Sequence, residues 1–112
     1  MEFVSVVIPA YNEEEAIGPE LDDIRETMER SGYPFEIIVV DDGSTDATAE
    51  IAAARGARVI RHRRKRGAGA SRRTGIVEAR GDVVVMADGD GSYPVADIPK
   101  LLALFPEADQ VV

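Results

Sequence analysis

The 112-residue chain contains no cysteine. Disulfide scaffolds, thiolate metal sites and cysteine nucleophiles are therefore excluded. Its one histidine, His62, sits among arginines. It reads as a surface residue, and Ser-His-Asp catalysis has no support. Long apolar runs are missing too. The longest, such as residues 83–87, fall far short of the roughly 20 residues a membrane span needs. The amino terminus, Met1-Glu2-Phe3, starts with an acid and enters a strand-like run directly; it is unlike a secretory signal. A soluble, cytoplasmic protein is the default expectation. A composition of 45% hydrophobic and 30% charged residues suits a globule rather than a disordered chain. The length suits one domain.

The formal net charge of −8 conceals an uneven distribution. Arg55, Arg58, Arg61, Arg63, Arg64, Lys65, Arg66, Arg72 and Arg73 form a basic strip with no acid among them. Everywhere else, four bases face all 21 acids, a balance of −17. An acidic chain thus carries one basic strip, and its function must account for both.

Residues 3–10, 35–40 and 82–87 are apolar and rich in β-branched side chains. Such continuous runs suit strands buried on both faces, as in parallel sheets. A shorter run at residues 57–60 is a fourth candidate. Helical patterns lie between them. Asn12, with Glu15 three residues on, is a plausible helix cap. Pro19 suits the first turn of a longer segment. Leu21, Ile24 and Met28 then recur as one apolar stripe, ending near Ser31-Gly32. Ser44 or Thr45 is expected to cap a helix reaching Ala54, with Gly56 as its stop. Residues 68–80 and 98–105 complete the set. Alternation of this kind predicts an α/β fold with a mainly parallel sheet. The last five residues, Ala108 to Val112, read as the start of another buried strand, which suggests part of a longer domain.

Ligands of open α/β sheets bind beyond the carboxyl ends of the strands. Three such ends are polar here: Pro9-Ala10-Tyr11-Asn12-Glu13, then Asp41-Asp42-Gly43-Ser44-Thr45-Asp46, then Asp88-Gly89-Asp90-Gly91-Ser92. In a parallel sheet all three meet on one edge. Converging carboxylates are costly unless a cation or hydrogen-bond donors share the site. Asp88 and Asp90, with small glycines between and after them, suit one hard cation such as Mg²⁺, which takes few carboxylates and shares its other positions with water and phosphate oxygens. The plainer reading is a solvated turn, since Asp and Gly are common there. Asp42, before Gly43, and Asp46, near a helix start, also have plain turn and first-turn readings. Asp41, at a strand tip, is the better candidate for function. A carboxylate only accepts hydrogen bonds, so it suits the ring N–H or amino group of a nucleobase. Tyr11 offers a ring to stack on that base, although a Tyr beside a strand end is more often mere packing.

The segment Arg66-Gly67-Ala68-Gly69-Ala70-Ser71 opens a predicted helix. Glycines at a helix start let backbone N–H groups approach an anion. It is neither the dinucleotide fingerprint, whose third glycine would fall at Arg72, nor a Walker loop.

Taken together, VSVVIPAYNEE (residues 4–14), IIVVDDGSTD (37–46) and MADGDGSYP (86–94) resemble the family 2 glycosyltransferases with the GT-A fold. The third motif is most similar to the branch that moves sugars onto polyprenyl or dolichyl phosphate. The resemblance covers essentially the whole chain. It implies that residues 1–112 are the nucleotide-sugar-binding, Rossmann-like part of a GT-A domain whose acceptor-binding part follows Val112. It implies an inverting transfer from a UDP- or GDP-sugar, with Mg²⁺ or Mn²⁺ on the donor diphosphate. Pro9, Ala10, Tyr11 and Glu13 match the first nucleotide-binding motif. Val39 and Asp41 match the second, with Asp41 facing the base. Asp88, Gly89 and Asp90 match the metal and diphosphate motif, and Ser92 sits where some relatives place another metal ligand. Gly67 and Gly69 match a glycine pair usually separated by Lys or Leu, here by Ala68. Arg73 falls near the diphosphate. The catalytic base or acceptor residues of such enzymes come from sequence beyond Val112, so no catalytic residue is assigned within the chain. An acceptor phosphate needs no base, because its second pKa is near 6; an acceptor hydroxyl does.

A non-catalytic nucleotide-binding module is the alternative. A nucleic-acid partner is disfavoured: no reading module is recognisable, no aromatic lies between Arg55 and Arg73, and the surroundings are acidic. The resemblance places the C-terminal part of the basic strip, Arg66 to Arg73, toward the diphosphate. Arg61, Arg63, Arg64 and Lys65 are left for acids elsewhere, lipid headgroups or solvent. An exposed final strand edge also offers a route to a homodimer.

Overall fold

A computed structural model describes residues 2–87 of the chain. The expected helix at 98–105, the expected strand ending at Val112 and its dimerising edge lie outside the described residues. The expectation that base and acceptor residues follow Val112 likewise concerns sequence outside them.

Four parallel strands form one sheet: β1 (Val4–Ala10), β2 (Phe35–Asp41), β3 (Arg58–Arg61) and β4 (Val83–Met86). Three helices connect them in chain order: α1 (Ile17–Ser31), α2 (Thr48–Ala54) and α3 (Ala68–Glu78). The strand order is β3-β2-β1-β4. Succession therefore runs outward from β1 to β3 and then returns to the other side of β1. The point between β1 and β4 is where an open sheet leaves a crevice at its carboxyl edge.

The two sheet faces hold separate apolar clusters. On one, Val4, Val6, Ile8, Val39, Val83 and Val85 pack with Ile17, Leu21, Ile24 and Met28 of α1 and Ala52 of α2. These α1 residues are the stripe read from the sequence, extended by Ile17. All four are at most 1% exposed, and each such burial contributes about 1.5–3 kcal/mol. On the other face lie Val7, Ile38, Val40, Val84 and Met86, next to α3. Gly75 lets α3 approach closely: a Cβ there would lie 2.1 Å from Val7 Cγ1.

The helix starts differ from expectation. Asn12 caps no helix. It has φ +49°, residues 14–16 form a turn, and α1 begins at Ile17 with Ala16 before it. Its side chain is committed to another loop, because Asn12 Oδ1 accepts from Thr45 N at 2.8 Å. Nor does Ser44 or Thr45 cap α2. Ser44 Oγ accepts from Asn12 N at 2.8 Å, and Asp46 Oδ1 instead accepts from Thr48 N at 2.9 Å. The stop at Gly56 is as expected: Gly56 N donates to Ala53 O at 3.1 Å.

At the amino edge of the sheet a polar cluster ties the strands. Glu36 Oε2 accepts from Ser5 Oγ at 2.6 Å and from Arg80 N at 2.8 Å. Ser5 Oγ in turn accepts from Gly81 N at 2.8 Å. Arg58 pairs with Glu36 and Glu78, each at 3.3 Å. Burial opposes ionisation of Glu36, but the Ser5 hydroxyl, the Arg80 N–H and Arg58 outweigh it, so its carboxyl is held below the usual range.

Candidate functional site

The carboxyl ends of β1, β2 and β3 fall side by side, with Ala10 opposite Asp41 and Asp41 opposite Arg61. The β1 and β2 loops that follow are joined in both directions. Glu13 N donates to Thr48 Oγ1 at 2.8 Å, and Ala47 N to Glu14 Oε2 at 2.9 Å. With the Asn12 bonds to Ser44 and Thr45, this fixes the first two polar strand ends on one edge, as expected of a parallel sheet. The third lies just past Ala87, whose N–H donates to Val7 O at 2.9 Å. Asp88, Gly89, Asp90 and Ser92 are outside the described residues.

Asp41 is fully buried. Its Oδ1 accepts from Ser44 N at 3.1 Å. Its Oδ2 stands 3.2 Å from Arg61 Nε, yet among the described residues no N–H points at it and that oxygen has no hydrogen-bond donor. The Coulombic pairing and the missing hydrogen bond are compatible: the guanidinium lies beside the oxygen without being aimed at it. A buried carboxylate oxygen lacking a donor costs free energy until one is supplied.

The other expected site residues distribute as follows. Ala10 is buried and Pro9 partly so. Tyr11 is exposed, with Lys65 Nζ 4.0 Å from its ring centroid, a cation–π distance. Glu13 is partly buried. Val39 is fully buried in the core, so its side chain is not on the ligand edge. Gly69 lies in the first turn of α3, and nothing comes within 4 Å of a Cβ built on it. Arg73 is exposed on α3 and lines a cleft of about 210 Å³ together with Arg66.

Two residues have larger roles than their sequence context showed. His62 is not a surface residue: it is 8% exposed. Its Nδ1 lies 2.8 Å from Asp42 Oδ1 and its Nε2 2.9 Å from Thr74 Oγ1. The carboxylate only accepts, so Nδ1 carries a proton and donates it to Asp42, while the Thr74 hydroxyl holds the ring from its Nε2 side. Asp42 also accepts from Arg66 N at 2.8 Å and Gly67 N at 2.9 Å. Burial works against its charge, but the His62 bond and the two backbone N–H groups win, and its carboxyl is held below the usual range. Both residues lie beside turn glycines or arginines, where sequence pattern suggests solvent.

Part of the basic strip is paired inside the fold. Arg55 pairs with Asp22, Arg58 with Glu36 and Glu78, and Arg61 with Asp41 and Glu50. Arg61 thus offsets acids of the described fold rather than more distant ones. Among the described residues, no group of three or more His, Cys, Asp or Glu side chains can hold a metal ion, and no helix is long and apolar enough to cross a membrane.

A parallel α/β sheet with a polar carboxyl edge at its switch point is the arrangement of the GT-A glycosyltransferases. Residues 5–112 match the family model described as Glycosyl transferase family 2, and the chain belongs to that family. The dolichyl-phosphate beta-glucosyltransferase of Homo sapiens is 36% identical over 110 residues, covering 88% of this chain and 34% of the relative. The undecaprenyl-phosphate 4-deoxy-4-formamido-L-arabinose transferase of Pseudomonas savastanoi pv. phaseolicola is 37% identical over 118 residues, covering 100% of this chain and 35% of the relative. Among solved structures, glucosyl-3-phosphoglycerate synthase from Mycobacterium tuberculosis, in complex with Mn²⁺, UDP and glucosyl-3-phosphoglycerate, aligns with a TM-score of 0.80 and 32% identity over 96% of this chain and 40% of that one. The chain spans about a third of the length of the curated relatives it matches.

Proposed function

We propose that the chain forms the donor-binding part of an inverting glycosyltransferase that moves a sugar from a UDP- or GDP-sugar to a polyprenyl or dolichyl phosphate. Asp41 carries this reading. Its buried Oδ2, without a hydrogen-bond donor among the described residues and placed at the carboxyl edge of the sheet, suits the ring N–H of uracil or guanine. Pro9, Ala10, Tyr11 and Glu13 line the base side, Val39 backs it from the core, and Gly69 and Arg73 face the diphosphate. A Mycobacterium tuberculosis neighbour solved with UDP and Mn²⁺ supports the donor class. The dolichyl- and undecaprenyl-phosphate relatives support the acceptor class.

The metal in this reading is held by Asp88 and Asp90, with Gly89 between them and Ser92 beside them. Paired carboxylates are hard oxygen ligands and fit Mg²⁺ or Mn²⁺. Ala87, hydrogen-bonded to Val7, leads into this segment from the end of β4, the strand beside β1. When bound, the ion offsets charge on the departing diphosphate. An acceptor phosphate oxygen attacks the anomeric carbon while the bond from that carbon to the diphosphate breaks. No protein base is required, because the phosphate is already ionised near neutral pH. The protein's share is to position the two reactants and exclude alternatives. A lipid acceptor puts this chemistry at the cytoplasmic face of a membrane.

Calorimetric titration of the chain with UDP and with GDP, each with Mn²⁺, tests the proposal. Binding of one nucleotide, weakened by an Asp88→Ala, Asp90→Ala double substitution, is the expected result. Binding of neither, or binding indifferent to that substitution, would overturn it.

A further inference from the structure

We infer that His62 is a positioning residue: through Asp42 it holds the basic segment 63–66 over the edge that carries Asp41 and Tyr11. The inference rests on the nucleotide-binding reading above and adds a determinant of affinity outside the ligand-contacting set.

The segment between β3 and α3 has no helix or strand of its own. It carries Arg63, Arg64, Lys65 and Arg66, all exposed. Four adjacent like charges repel one another, and a free loop of this kind would spread into solvent. Three features oppose this. Asp42 takes the backbone N–H groups of Arg66 and Gly67 at 2.8 and 2.9 Å, which anchors the end of the segment and the start of α3 to the tip of β2. Gly43 admits the segment at contact distance: a Cβ on it would lie 2.7 Å from Lys65 N and 2.8 Å from Arg64 C, and its φ is +77°. Lys65 then reaches over Tyr11, its Nζ 4.0 Å from the ring centroid.

Asp42 is itself held by His62. The ring donates Nδ1–H to Asp42 Oδ1 at 2.8 Å and is fixed from behind by Thr74 of α3 at 2.9 Å. The order is therefore Thr74, His62, Asp42, then the Arg66-Gly67 backbone. Every member but the last is a side chain, and His62 is the one that bridges Thr74 of α3 to Asp42. An imidazole placed this way orients the carboxylate so that both its oxygens face the loop. The result is a positive loop ordered before any phosphate arrives, so less ordering is left for binding.

Two substitutions separate this role from general packing. In His62→Asn the amide nitrogen takes the place of Nδ1 and keeps the donor to Asp42. In His62→Gln the amide reaches the place of Nε2 and loses it. Affinity for UDP with Mn²⁺ and hydrogen exchange at the Arg66 and Gly67 amides are measured for both. The Gln variant is expected to bind UDP at least tenfold more weakly and to exchange both amides at least tenfold faster. The Asn variant is expected within threefold of the wild type on both counts. Equal behaviour of the two variants would overturn the inference. Should His62→Gln fail to fold, Gly43→Ala displaces residues 64–65 while leaving the His62 side chain unaltered; it is expected to weaken UDP at least fivefold, and unchanged affinity there would also overturn it. A wild-type chain that binds no nucleotide defeats the functional reading instead, while the amide exchange still decides whether His62 holds the segment.

Discussion

Arg61 Nε lies 3.2 Å from Asp41 Oδ2, across the paired ends of β3 and β2. The carboxylate is fully buried and the arginine side chain is 51% exposed. The same guanidinium reaches Glu50 of α2 at 3.5 Å. Arg61 therefore lets an acid sit at the tip of an apolar strand while one of its oxygens has no donor among the described residues.

Removing that countercharge leaves Asp41 buried with, among the described residues, only the Ser44 N–H. Arg61→Ala is expected to cost about 1–2 kcal/mol, less than a fully buried pair because the arginine is half in water. Urea unfolding of the two proteins measures it. A midpoint unchanged from the wild type would show that Arg61 is a surface ornament of the strand end.

Two glycines of α3 separate packing from ligand approach. Gly75→Ala drives a Cβ into Val7, 2.1 Å from its Cγ1. It should destabilise the chain by about 1–3 kcal/mol despite alanine's better helix propensity. Gly69→Ala meets nothing within 4 Å and should raise stability, by up to about 1 kcal/mol. Because Gly69 faces the proposed diphosphate, the same substitution should weaken UDP binding several-fold. Thermal unfolding and nucleotide titration of each variant check both halves; a Gly69→Ala protein that gains stability and keeps full affinity would remove Gly69 from the site.

Stability should fall in acid for an identifiable reason. Glu36 is held below its usual value of 4.5, against burial, by Ser5, the Arg80 N–H and Arg58. The unfolded chain therefore takes up this proton at higher pH than the folded one. Its contribution is complete above pH 4.5 and is lost as pH drops through the lower folded value. Urea midpoints between pH 7 and pH 3 should show this decline, with a shallower slope in Glu36→Gln. An equal slope in both would assign acid sensitivity elsewhere, for example to Asp42, which is shifted in the same direction.

Much of the framework is legible along the chain. Runs of Val and Ile announce β1, β2 and β4 because strands buried on both faces exclude most polar residues, and the α1 stripe follows from helical period alone. The parallel order then forces Asp41 and the residues after Ala10 onto one edge. What the pattern conceals are partnerships between residues far apart in sequence. Asn12 looks like a cap because caps are local, but its acceptor serves Thr45, 33 residues away. His62 looks solvated because its neighbours are arginines, but its own side chain points inward to Asp42 and Thr74. Arg61 meets Asp41 only because β3 pairs with β2 in this register, which no count of charges along the strip reveals.

Asp41 is proposed to read the nucleobase. Calorimetric titration of the wild type and Asp41→Asn with UDP and Mn²⁺ tests it most directly. Asparagine keeps the size of the side chain but replaces one acceptor oxygen with a donor. At least a tenfold loss of affinity, about 1.4 kcal/mol, is the expected result. Equal affinity of the two proteins for UDP would contradict it.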